Sequence, residues 1–108
     1  MTPVVVQSLD QARAVLAGTK VDQPVSLISP PGAARLQGIG WWQALSRILG
    51  DEFPEHTVEA ILDCGDSPGL ALAALRAGVS PVRVVGVNRD MRDKLNDIAR
   101  QLGTRLMA

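Results

Sequence analysis

Three short stretches hold the residue types able to bind or react: Ser29-Pro30-Pro31-Gly32, Asp63-Cys64-Gly65-Asp66-Ser67 and Asn88-Arg89-Asp90. Each follows an apolar run of strand length and precedes a helical pattern. In an open parallel sheet such segments gather beyond the carboxyl ends of the strands, where helix N-termini present free amides. There Arg89 would pair with a carboxylate or phosphate, while Asp63 and Asp66 would repel an anion from the neighbouring loop. The ligand-binding candidates on this reading are Ser29, Gly32, Asp63, Cys64, Ser67, Asn88 and Arg89, with Asp66 engaged as a helix cap. None forms a complete catalytic set.

Cys64 illustrates why. A thiol near a helix N-terminus can ionise easily and become a nucleophile. Its only possible histidine base is His56. The intervening segment reads as a strand, and about seven residues at ~3.3 Å each would hold the pair roughly 20 Å apart. A nucleophile and its base need hydrogen-bond contact. Cys64 therefore reads as a buried, inert thiol. One His and one Cys cannot make a zinc site from those types. The glycines match neither a dinucleotide fingerprint nor a P-loop, so no metal and no cofactor is expected.

The elements that must position these residues alternate. Pro3–Gln7 is β-branched and reads as a strand; Ser8 and Gln11 then form a capping box for a helix that Gly18 stops in a left-handed turn. Pro24–Ser29 is a second strand. Ala33 to Gly50 reads as one helix with a thin waist, since Gly38 and Gly40 weaken it by about 1 kcal/mol each. Thr57–Asp63 is a third strand, and Leu70–Ala77 a helix apolar almost all round, capped by Ser67 or Asp66. Val82–Val87 is a fourth strand, and Asn88 caps a helix whose Met91, Leu95, Ile98 and Leu102 share one face. Gly103 ends it, and Thr104–Met107 reads as a short edge strand.

That order predicts an α/β domain spanning 1–108: a small open parallel sheet of four to five strands with helices on both faces, a flavodoxin-like three-layer sandwich. A half-barrel of sequentially adjacent strands fits the same alternation.

Asp63, at the end of the third strand, resembles the phosphoacceptor of response-regulator receivers. Those domains hold magnesium with an acidic pair after the first strand, where this chain has Val6-Gln7-Ser8, and no lysine follows the fourth strand in the receiver manner. Phosphoryl transfer to Asp63 would lack electrostatic support. Asp66-Ser67-Pro68-Gly69-Leu70 is similar to the Asp-Ser-x-Gly-Leu of STAS regulatory domains. That likeness implies a modifiable Ser67, although the loop after Asp63 is shorter and a helix replaces the expected early hairpin.

Composition narrows the partners. The 108 residues carry eleven Lys and Arg against eleven Asp and Glu, a formal charge of zero. A nucleic-acid surface normally needs an excess of positive charge, so no nucleic acid is expected. No apolar run reaches the roughly 20 residues of a membrane span, and Met1–Lys20 lacks a basic start before a long apolar run, so no membrane association and a cytoplasmic location are expected. Charge is nonetheless uneven along the chain. Six acids and no base lie between Ile48 and Leu75, whereas six bases and three acids lie between Val82 and Ala108. Trp41-Trp42 is the most unusual dipeptide. Neighbouring helix positions point about 100° apart, so one ring packs on the sheet and the other sits at its margin. Both are interface candidates.

The expected function is accordingly a non-catalytic α/β interaction or regulatory module that self-associates as a homo-oligomer, a dimer, or docks a protein partner. The alternative is a small-molecule or anion-binding domain, or an enzyme, with its site at the carboxyl edge of the sheet.

Overall fold

The computed structural model describes residues 2–107. Nine elements follow in chain order: β1 (Val4–Val5), α1 (Leu9–Ala17), β2 (Val25–Ile28), α2 (Ala33–Leu36), α3 (Ile39–Glu52), β3 (Val58–Asp63), α4 (Pro68–Arg76), β4 (Val82–Arg83) and α5 (Arg89–Leu102). The four strands form one parallel sheet in the order β1-β2-β3-β4. Leu106 adds a single parallel bridge to Val82, which is all that the expected edge strand over 104–107 makes. The domain is α/β with an open parallel sheet, and its strand order is the sequential one of a half-barrel.

Which face the helices cover follows from the register. Val25, Leu27, Val58, Ala60, Leu62, Val82 and Val84 point to one side, since alternate residues do and Leu27 pairs Ala60 while Leu62 pairs Val82. Those residues share one core with Leu16 of α1, Ala34 of α2, Trp42 and Leu45 of α3, Leu75 of α4 and Leu95 of α5. All five helices thus meet the same side, where two helical layers were expected. Crossovers of one hand that always step in the same direction lay every helix on the same face. The opposite face carries Val5, Ile28 and Ile61 in one row across three strands.

Local signals explain most boundaries. The Ser8 hydroxyl accepts from the Gln11 amide at 3.1 Å, and Gln11 returns its Oε1 to the Gln7 amide at 2.7 Å. Gly18 ends α1 at φ −89°, so the left-handed stop expected there is absent. The single helix expected from Ala33 to Gly50 is broken into α2 and α3, because Gly38 adopts φ 89° and ψ 157°, outside any helix. β4 stops at Arg83 rather than Val87, and beyond it the Val85 amide donates to the Gly65 carbonyl of the loop after β3 at 2.8 Å. No helix among the described residues is long and apolar enough to cross a membrane.

Candidate functional site

The carboxyl ends of β2 and β3 meet in a hydrogen-bonded knot centred on Asp63. Its carboxylate oxygen Oδ1 accepts from the Gly32 amide at 2.9 Å and from the Gly65 amide at 2.8 Å. Oδ2 lies 3.7 Å from Arg83 Nε, and the carboxylate side chain is only 5% exposed. The Asp63 amide in turn donates to the buried hydroxyl of Ser29 at 2.8 Å. Gly32 and Gly65 both lie in the left-handed region, with φ 70° and 59°. A Cβ on Gly65 would come 3.7 Å from the Gly32 Cα, so the two loops run backbone against backbone.

Ser29, Gly32 and Asp63 are therefore brought together, as the sequence anticipated. Their polar atoms are engaged with each other. Ser67 caps α4 by accepting from the Leu70 amide at 3.1 Å, and Asn88 caps α5 through the Met91 amide at 2.8 Å. Asp66 is not the cap; it is exposed, with Arg35 Nη2 at 3.7 Å. Arg89 is exposed in the first turn of α5, outside the knot. Gly65 and Arg83 are the members that sequence reasoning missed. The Asp63-Cys64-Gly65 spacing carried a signal for Gly65, since a short acidic side chain commonly accepts from the amide two residues on. Nothing local marked Arg83, which reaches Asp63 only through the β3–β4 register.

Cys64 is buried on the helical side of the sheet. Burial, with the Asp63 charge as the lesser cause, pushes its thiol up from 9.0 to about 12. An unreactive thiol is the consequence. Native protein should react slowly with a thiol reagent at pH 7 and quickly once unfolded; fast native labelling would contradict the assigned burial. The sign of the linkage is also defined. A thiol whose folded pKa is raised keeps the native state fully favoured below pH 9.0, and that contribution is lost progressively as pH climbs toward 12. Denaturation of a Cys64→Ala variant should show a shallower loss of stability over that window. His56 lies at the other end of β3, with Nε2 3.0 Å from the Thr19 carbonyl oxygen.

The uneven charge along the chain is largely resolved by pairing between distant segments. Of the six acids between Ile48 and Leu75, four meet an arginine from elsewhere: Glu52 with Arg13, Glu59 with Arg105, Asp63 with Arg83 and Asp66 with Arg35. The Arg13 contact, bidentate at 2.7 Å for both oxygens, holds the Glu52 carboxyl below its ordinary value. The exposed pairs contribute little individually.

Trp42 is 1% exposed and donates its indole N–H to the Ala60 carbonyl at 3.3 Å. Trp41 lies at the margin, half-buried, with ring centroids 5.4 Å apart. A cleft of about 320 Å³ opens beside Trp42 toward Ser46 and Ser80, and a shallower one of about 250 Å³ lies next to the knot between Gln7 and Leu36. Comparison with protein-family models and with curated proteins found no match.

Proposed function

We propose that this chain is a non-catalytic α/β interaction module that self-associates. The observation that carries the proposal is the one-sided helical layer. Parallel sheets are almost always covered on both faces, because their strands are apolar on both. Here the second face has no helical layer over it; Ile28 and Ile61 of its apolar row are already shielded within the single chain, and Val5 at the sheet edge is left 54% exposed. The knot supports the same reading, since the rim groups with chemical potential already satisfy one another. Zero formal charge does little to oppose association between copies and gives no reason to expect nucleic acid. A reducing, cytoplasmic setting suits the single buried cysteine.

Trp42 serves this module as core rather than as an anchor, which leaves Trp41 the only tryptophan with a surface to offer. Sedimentation velocity over a wide concentration range tests the proposal. The sedimentation coefficient should rise with concentration toward that of a dimer. A monomer at every concentration would refute it.

A further inference from the structure

Resting on that self-association, we infer that the partner is a second copy standing in the same sense, so that each copy's β1 edge meets the other's edge beyond β4 and the two sheets close around the faces that carry no helices. Both edges have backbone groups ready for this. The Val6 amide donates to the Ile28 carbonyl at 3.0 Å, so by the alternation of a parallel ladder the N–H and C=O of Val5 point outward. On the other side, the Val82 amide donates to the Arg105 carbonyl at 3.1 Å and Met107 donates to the Val82 carbonyl at 2.8 Å. Leu106 therefore turns its own N–H and C=O away from the sheet. A two-fold axis running along the strands brings these two unlike edges together twice, leaving none open.

The face itself favours another copy by its charge. It carries Glu59 paired with Arg105 and Asp63 paired with Arg83, two acids and two bases. Covering it therefore traps no charge without a partner, the condition under which burial of ions is tolerated. An all-parallel sheet whose strands follow chain order already has the sense and sequence of a barrel wall. Closure gathers the two Asp63 knots at the same end of the assembly. It also shelters Val5 and Val85, which are exposed in the single chain.

Neighbouring strands lie about 4.8 Å apart, so closure sets Val5 of each copy beside the 105–107 segment of the other and far from its own counterpart. The test uses two single variants, Val5→Cys and Met107→Cys, treated with a short dimaleimide. The unmodified protein, whose Cys64 is buried, is the blank. Mixed, the two variants should yield several-fold more covalent dimer than either alone. If Val5→Cys alone cross-links as well as the mixture, the sheets stack face to face and the inference is overturned. No covalent dimer from the mixture, in protein that sediments as a dimer, likewise removes the inference but leaves self-association standing. Protein that sediments only as a monomer removes both.

Discussion

Replacing Trp42 with alanine is expected to destabilise the domain by about 3–5 kcal/mol, the range for emptying a buried tryptophan site. The ring is the largest fully buried side chain and bridges α3 to the sheet, packing in one core with Leu45 and Leu62. Its loss also removes the donor that satisfies the Ala60 carbonyl. Against a total stability of about 5–15 kcal/mol, this variant should be partly unfolded under mild denaturant. Trp41→Ala is the internal control. That ring lies at the core's margin, so its truncation should lower stability by roughly 1–2 kcal/mol. Urea denaturation followed by circular dichroism separates the two. Equal losses would contradict the division of the pair into core and margin.

The second large effect is expected at Asp63. Asp63→Ala would leave the Gly32 and Gly65 amides without their shared acceptor in a site where the carboxylate is almost wholly shielded from water. Hydrogen bonds to a charged group are worth about 1.5–3 kcal/mol each, so a loss of roughly 3 kcal/mol is expected. Asp63→Asn should lose less, because its amide oxygen can still accept from both glycines. Hydrogen exchange adds a local readout: amides over 32–36 and 65–67 should lose protection in Asp63→Ala beyond the global change. If Asp63→Ala were as stable as the parent, the knot would not hold the rim and its carboxylate would be free for another role.

The caps at Ser8, Ser67 and Asn88 were legible because each joins a side chain to an amide three residues away. The gathering of Ser29, Gly32 and Asp63 was legible because alternating strands and helices set every strand's carboxyl end at the same rim. The engagement of that rim was not. The Asp63 carboxylate has two loops within reach only after β2 and β3 pair with Leu27 opposite Ala60. The helix break at Gly38 lay between the two. Its glycine was visible as a weak point, but the choice between a bent helix and two helices depends on what α2 and α3 pack against.

By itself, then, the sequence determined the alternation of elements, the parallel α/β class and most helix caps, since these follow from contacts within a few residues and from the periodicity of apolar side chains. The tertiary structure alone decided the sequential strand order, the placement of all five helices on one face, and the pairing of Glu52, Glu59, Asp63 and Asp66 with distant arginines. Those outcomes depend on which segments far apart in the chain come into contact, and no local pattern encodes the energy of a pair that has not yet met.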